Sequence, residues 1–229
     1  MRAEAQRLHP AVFGIAAGHL GERMAARTHP AYGRGRWQRQ LLATMIDWAE
    51  AIERKDPCTA GHARRVTGFS LLLGTELGLS KQELADLWLA AALHDVGKIF
   101  VSDSILHKPG PLTLEEAAVM KTHPAAGARI LAGVRGPVRA MGGIRHHHER
   151  YDGRGYPDGL QGDEIPLLAR IIAVADTYDA MTSHRPYREA LSPQQADREI
   201  ARCAGTQLCP TVVRAFQSLF ETGRLTPTL

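Results

Sequence analysis

A histidine and an aspartate stand side by side at the end of an apolar, helix-like segment. Residues 89–100 read Leu-Ala-Ala-Ala-Leu-His-Asp-Val-Gly-Lys-Ile-Phe, so that His94 and Asp95 are followed by Gly97 and Lys98. An adjacent imidazole and carboxylate can bind one metal ion together, and a carboxylate can also bridge two ions. Lys98 lies about one turn further on, where it could meet an anionic substrate. The segment therefore predicts a metal centre that acts on a charged molecule.

Four other places along the chain supply histidine or aspartate near the ends, or on the core side, of predicted helices. A lone histidine on a helix is more often an ordinary polar residue than a metal ligand. Asp176 is different, because it follows the apolar run Ile-Ile-Ala-Val-Ala and an unpaired buried carboxylate is costly. A metal or a cationic partner would explain it, and an exposed helix edge is the alternative. The candidates are His62, His123, His147, His148 and Asp176.

So many imidazole and carboxylate groups favour two metal ions over one. Mixed nitrogen and oxygen ligands suit divalent Fe, Mn or Zn. In two-metal sites the ions lie roughly 3.5–4 Å apart and activate a water for attack on phosphorus. Neighbouring helical residues point about 100° apart. His147 and His148 therefore need not face the same ion, although both could reach one at a frayed helix end.

The elements that must position these residues are all predicted to be helices. Apolar residues recur at three- and four-residue spacing through 37–52, 62–73, 167–181 and 210–220. Capping boxes at Ser80 and Thr113, and prolines at positions 57, 137, 166, 193 and 210, mark helix starts. Pro124 is expected to stop or kink the helix that begins at Thr113, just after His123. Residues 150–166 are predicted to form a glycine-rich loop. No strand-length alternation is present, so the fold class is all-α.

The composition is that of a globular protein with a mild positive charge. The 229 residues suit one good-sized domain, here 37–229, preceded by an arm or linker at 1–36. A net charge of +4 without a long basic run fits a small phosphorylated ligand and argues against a nucleic-acid polymer. Three cysteines without metal-finger spacing indicate a reducing cytoplasm. No apolar run reaches the roughly 20 residues of a membrane helix. The arm could be an oligomerisation helix, which leaves a homodimer open, or the remnant of a longer protein.

A longer set of motifs lies between Trp37 and Phe220. These motifs are His62, His94-Asp95-Val96-Gly97-Lys98, Lys108-Pro109-Gly110, His123-Pro124, His147-His148-Glu149, Asp152-Gly153-Arg154-Gly155-Tyr156-Pro157 and Arg185-Pro186-Tyr187-Arg188. In this order they resemble the motifs of the HD-GYP family, a branch of the HD-domain metal-dependent phosphohydrolases. A His-Asp pair alone is weak support, whereas the whole set is highly specific. The resemblance implies an HD-domain helical bundle with a long glycine-rich (GYP) loop.

The resemblance implies an enzyme that hydrolyses the bacterial second messenger cyclic di-GMP, at a centre of two or three divalent ions. Fe or Mn is the expected metal, with Zn, Ni or Mg as alternatives. A metal-bridging hydroxide would open the ring to linear pGpG, or continue to GMP. Another cyclic dinucleotide as substrate, and a non-catalytic cyclic di-GMP receptor, are the alternatives. Asp95 would bridge the metals and Lys98 would lie near the scissile phosphate. The implied metal ligands are His62, His94, Asp95, His123, His147, His148 and Asp176.

Three further side chains are expected to meet the substrate. Arg185 and Arg188 match basic positions that hold the substrate phosphates, since a guanidinium binds phosphate oxygens in a bidentate manner. The alternative is that each arginine lies at a solvated helix end, and this alternative is stronger for Arg188 than for Arg185. Tyr156 would stack on a guanine, hydrogen-bond a phosphate, or only anchor the loop. Alternatively, the loop at 153–157 docks a partner, either a diguanylate cyclase domain or an adaptor protein.

Two positions depart from the family pattern. Cys58 stands four residues before His62, where members with a third metal are expected to have a glutamate, so two ions are favoured. A thiolate at Cys58 could bind metal, and a small semi-buried residue is the alternative. Cys209 precedes Pro210, where the family often has an aspartate. This second change is expected to remove only a helix cap, at a cost of about 1 kcal/mol.

Overall fold

The described part of the protein is a bundle of helices. The computed structural model describes residues 61–132, 138–183 and 189–225, with Thr44, Asp47, Ala49 and Ala51. Within these ranges the only β-type pairings are two isolated bridges, which confirms the all-α fold class. Short 3₁₀ turns lie at Val96–Phe100 and Gly162–Glu164. The helices are α1 (His62–Glu76), α2 (Lys81–Leu93), α3 (Asp103–Leu106), α4 (Leu114–Met120), α5 (His123–Leu131), α6 (Val138–His146), α7 (Leu167–Thr182), α8 (Pro193–Arg202) and α9 (Pro210–Glu221).

The N-terminal predictions fall largely outside these residues. The arm at 1–36, the helix start at Asp56-Pro57 and Cys58 all lie outside the described residues. The helix start predicted at Pro137, further along the chain, also lies outside them. The four described residues between 44 and 51 are helical, in agreement with the pattern at 37–52. Helix α1 begins at His62 itself, because Gly61 adopts the left-handed conformation with φ of 72°. His62 is therefore presented from the first turn of its helix.

Helix α7 is the central element of the bundle. It packs against α1, α2, α6, α8 and α9. Ile171, Ile172 and Val174 along its length are fully buried, and each such side chain contributes roughly 1.5–3 kcal/mol on leaving water. Because the core surrounds this helix, a polar residue on it has little freedom to move. Asp176 lies on α7 and is held at a defined place relative to α1.

The 3₁₀ turn after His94-Asp95 lies directly against α5. Gly97, within this turn, is the point of contact. A Cβ atom there would lie 2.0 Å from the carbonyl oxygen of His123 and 2.6 Å from the amide nitrogen of Gly127. Only glycine allows two backbone segments to approach this closely. The approach brings Asp95 and His123, which are 28 positions apart in sequence, to the same site.

Where the structure describes them, helix boundaries agree with the sequence signals except at Pro124. The capping boxes at Ser80 and Thr113 are both formed. Helix α4 nevertheless ends at Met120, and Pro124 lies in the first turn of α5, which begins at His123. The prediction that Pro124 stops or kinks a helix was therefore wrong. A proline lacks an N–H, and the first turn of a helix leaves that group unused, so Pro124 starts a helix instead.

The C-terminal helices close the bundle over α7. Helix α8 begins after a capping box between Ser192 and Gln195. Cys209 precedes α9 and its side chain makes no capping hydrogen bond, as expected where a cysteine replaces an aspartate. Instead, Arg170 of α7 contacts the Cys209 Sγ atom at 3.6 Å. Among the described helices, none combines the length and apolar character needed to cross a membrane.

Candidate metal centre

Six of the predicted metal ligands converge in two clusters that share Asp95. Within each cluster, one donor atom from every residue lies within 4.8 Å of the others. Asp176 adjoins the second cluster, since its Oδ1 atom lies 3.4 Å from Nε2 of His62. The three-histidine cluster consists of Asp95, His123, His147 and His148, and the two-histidine cluster consists of His62, His94 and Asp95.

Three of the imidazoles are anchored by their own helix. Nδ1 of His94, His123 and His147 lies 2.7, 2.8 and 2.6 Å, respectively, from the carbonyl oxygen three residues earlier. A carbonyl oxygen can only accept a hydrogen bond, so Nδ1 carries the proton in each ring. Nε2 then keeps its lone pair. These histidines are therefore held in the tautomer and orientation of a metal ligand.

The lone pairs face one another across the centre. Nε2 of His123 lies 3.3 Å from Nε2 of His147 and 3.2 Å from Oδ1 of Asp95. Nε2 of His94 is buried and makes no hydrogen bond with any residue in the described ranges. Electron-rich atoms this close repel each other unless a cation or proton lies between them. This mixed nitrogen and oxygen donor set fits divalent transition metals.

Electrostatics keep His94, His147, His148 and Asp95 in their metal-binding protonation states. His62 differs, because burial lowers its pKa but the hydrogen bond to Asp179 and the charges of Asp176 and Asp95 outweigh burial and raise it. Burial lowers the pKa of His94, lowers the pKa of His147 well below its ordinary value, and lowers the pKa of His148 to about 4. Burial alone would raise the pKa of Asp95, but Lys98 and the adjacent histidines hold it well below its usual range. Neutral imidazoles around an ionised carboxylate are the forms that bind a metal ion.

Two of the predicted substrate-binding residues border the metal-ligand candidates. Nζ of Lys98 lies 2.5 Å from Oδ2 of Asp95. The Tyr156 ring packs against the His148 ring, with the ring centroids 5.0 Å apart. Both residues therefore contact a metal-ligand candidate directly. The other two predicted substrate-binding residues, Arg185 and Arg188, lie outside the described residues.

Asp179 is a further residue of the centre, and the sequence motifs did not reveal it. Its side chain is only 2% exposed, and its Oδ2 atom lies 2.7 Å from Nδ1 of His62. Nε of Arg65 donates to Oδ1 of the same carboxylate at 2.5 Å. Asp179 thus accepts the Nδ1 proton of His62 and directs Nε2 towards Asp176. Its position three residues after Asp176, on the same helix face, is the signal that could have identified it.

We expect Asp179→Asn to weaken metal binding at the two-histidine cluster by about 10–100-fold, because the neutral amide no longer supports the His62 imidazole. Competition with a chromogenic chelator measures this affinity. Arg65→Gln is the matched control, since it removes the ion pair but keeps the carboxylate on His62. The role of Asp179 is contradicted if a folded Asp179→Asn protein binds both ions as tightly as the wild type.

The glycine-rich loop is fastened beside the metal-ligand candidates by Glu149. This buried carboxylate accepts backbone N–H groups of Asp158 and Gly159 at 2.8 and 3.0 Å. Arg145 in turn donates two hydrogen bonds to the Asp158 carboxylate, at 2.8 and 2.7 Å. A Cβ atom at Gly155 would lie 2.4 Å from Cα of Glu149. The loop is therefore a fixed wall of the centre. As predicted, residues 150–166 form a loop, with one isolated bridge between Asp152 and Gln161 and one short 3₁₀ turn.

Comparison with known protein families identifies the family to which this chain belongs. The family described as HD domain matches residues 48–212, which is most of the chain. The chain belongs to the HD domain family. The crystal structure of a cyclic GMP-AMP-specific phosphodiesterase of Vibrio cholerae, V-cGAP3, has the same fold as this HD domain, with a TM-score of 0.62. The two are 22% identical, and the match covers 81% of this chain and 50% of that chain.

Two curated relatives are similar to this HD domain in sequence. The cyclic di-GMP phosphodiesterase response regulator RpfG of Xanthomonas campestris is 48% identical over 149 residues, which are 64% of this chain and 39% of the relative. The 3'3'-cGAMP-specific phosphodiesterase 2 of Vibrio cholerae is 38% identical over 169 residues, which are 72% of this chain and 32% of the relative. These similarities confirm the resemblance to the HD-GYP branch. The chain spans less than half the length of either relative.

Proposed function

We propose that this HD domain is a metal-dependent phosphodiesterase that hydrolyses cyclic di-GMP to linear pGpG, with GMP as the product of a second cut. The observation that carries the proposal is the membership of Asp95 in both histidine clusters. A carboxylate shared by two metal-binding clusters is suited to a two-metal site that cleaves phosphate esters. The relatives named for cyclic di-GMP and for 3'3'-cGAMP support a cyclic dinucleotide as the substrate.

The proposed cofactor is a pair of divalent ions, Fe or Mn in the first place. When bound, the ions would supply Lewis acidity and lower the pKa of the water that attacks phosphorus. One ion would be held by the two-histidine cluster with Asp176, and the other by the three-histidine cluster. Two ions rather than three are proposed because Cys58 stands where members with a third metal are expected to have a glutamate. The two clusters that share Asp95 would each hold one of these ions.

The chain's own polar groups would bind and orient the substrate. Lys98 would place its ammonium against an oxygen of the scissile phosphate. Burial, together with the charges of Asp95 and Asp176, raises the pKa of Tyr156, so the phenol stays protonated and can donate a hydrogen bond to the substrate. The contact between Tyr156 and His148 favours a substrate role for the loop over the docking of a diguanylate cyclase or an adaptor. Arg185 and Arg188 are proposed to hold the substrate phosphates.

Protein purified anaerobically and loaded with Fe or Mn is expected to hold two ions and to convert cyclic di-GMP to pGpG. Elemental analysis measures the metal content, and chromatography identifies the products. Metal-stripped protein is the control, and it should regain turnover when Mn is restored. Faster turnover of 3'3'-cGAMP by the same sample would favour that dinucleotide as the substrate. Fully loaded protein that cleaves neither dinucleotide would contradict the proposal, and tight binding without turnover would indicate a receptor.

A further inference from the structure

A pocket of about 400 Å³ lies beside the metal centre, between the glycine-rich loop and the α4–α5 segment. This volume falls within the roughly 300–1,000 Å³ typical of small-molecule sites. Alanines and a proline make much of its wall apolar, and two basic side chains also line it. The residues that matter here are Ala118, Lys121, Ala125, Arg129, Tyr156 and Pro157.

The pocket is adjacent to the metal-ligand candidates on both of its sides. Tyr156, in one wall, packs against His148 with the ring centroids 5.0 Å apart. Thr122, in the other wall, immediately precedes His123 in the chain. A molecule whose phosphodiester lies at the metal centre can therefore place its neighbouring group in this pocket.

The basic side chains give the pocket a defined hydrogen-bonding character. Nζ of Lys121 lies 5.6 Å from the centroid of the Tyr156 ring, a cation–π distance that holds the ammonium at the pocket. Arg129 lies one helical turn after Ala125 on α5 and lines the same space. Ammonium and guanidinium groups can only donate hydrogen bonds. The pocket thus offers two donors between apolar walls.

Two donors match one edge of guanine and not the corresponding edge of adenine. Guanine presents two acceptors, O6 and N7, whereas adenine presents the N7 acceptor and the N6 amino donor. We propose that this base pocket binds one guanine of the cyclic dinucleotide, with Lys121 and Arg129 donating to O6 and N7, and so selects guanine over adenine. The inference rests on the proposed function, because it takes a cyclic dinucleotide as the substrate.

The hybrid dinucleotide 3'3'-cGAMP provides the first test, because its two phosphodiester bonds are not equivalent. If guanine must occupy the base pocket, one bond is presented to the metals and one of the two linear products should exceed the other initially by about tenfold. The double variant Lys121→Ala/Arg129→Ala should bring this ratio close to one. Both side chains are exposed, so the fold should be retained. A ratio near one in the wild type, or an unchanged ratio in the variant, overturns the proposal.

The double variant Lys81→Ala/Arg139→Ala is the matched control, since it also removes one lysine and one arginine. Both residues are exposed, Lys81 at the start of α2 and Arg139 on α6, and neither lines the base pocket. This control should keep the product ratio of the wild type. A change in the ratio as large as that of Lys121→Ala/Arg129→Ala would mean that overall charge, and not the base pocket, orients the substrate.

Nucleotide binding provides a second test that does not depend on turnover. Calorimetry on the metal-loaded protein should show GMP binding about tenfold more tightly than AMP, with this preference absent in the double variant. An equal loss of affinity for both nucleotides would assign the two cations to a phosphate and overturn base selection. Preference for GMP without cleavage of cyclic di-GMP would contradict only the proposed function. Cleavage of cyclic di-GMP with equal binding of GMP and AMP would overturn only the base pocket.

Discussion

Replacement of Asp95 by alanine is expected to remove both metal ions and to lower the turnover of cyclic di-GMP by on the order of a thousandfold or more. The Asp95 carboxylate belongs to both clusters, so its loss leaves each of them with fewer donors and without their shared anion. Metal ions contribute several kcal/mol of transition-state stabilisation, and each 1.4 kcal/mol is about a factor of ten in rate. Elemental analysis and steady-state kinetics on the same preparation measure the two effects.

Two controls separate the shared role of Asp95 from the loss of any one ligand or carboxylate. His148→Ala removes a donor from the three-histidine cluster alone and should lower the metal content by one ion. Asp47→Ala removes an exposed carboxylate elsewhere in the chain and should leave metal content and turnover unchanged. The bridging role of Asp95 would be refuted by an Asp95→Ala protein that retains one tightly bound ion or keeps its turnover.

Substitution of Gly97 by alanine is expected to destabilise the protein by about 3 kcal/mol or more. The added Cβ atom would lie 2.0 Å from the carbonyl oxygen of His123 and 2.6 Å from the amide nitrogen of Gly127. These are backbone atoms of a packed helix, so they cannot rotate away as a flexible side chain can. The displacement should also move His123 away from Asp95. Urea unfolding of the metal-free protein measures the stability without a contribution from metal binding.

Gly142→Ala is the matched control for this prediction. Gly142 lies in the interior of α6, and a Cβ atom there would lie 3.5 Å from the Pro166 ring, an ordinary contact distance. Alanine at such a position should stabilise the protein by roughly 0.5–1 kcal/mol, because glycine is a poor helix former. If the two substitutions change the free energy of unfolding equally, the close approach at Gly97 is not the cause.

Signals that act over three or four residues predicted much of the helical framework. The capping boxes at Ser80 and Thr113 and the proline at position 193 marked helix starts that the structure contains. Pro124 was wrongly predicted to end a helix, because a proline can either follow the end of one helix or lie in the first turn of the next. Here the preceding helix already ends at Met120, three residues before His123. No local signal at Pro124 shows where that helix ends.

The sequence by itself determined which residue types were available to the centre and that their motifs follow the HD-GYP order. Only the tertiary structure decided how they combine. Asp95 lies in both clusters because Gly97 lets its turn approach α5, and His62 is oriented by Asp179, 117 positions away, because α1 packs on α7. The physical reason is that a ligand needs both a position and a direction. Imidazole direction depends on the acceptor of the Nδ1 proton, and for His62 that acceptor lies on a distant helix.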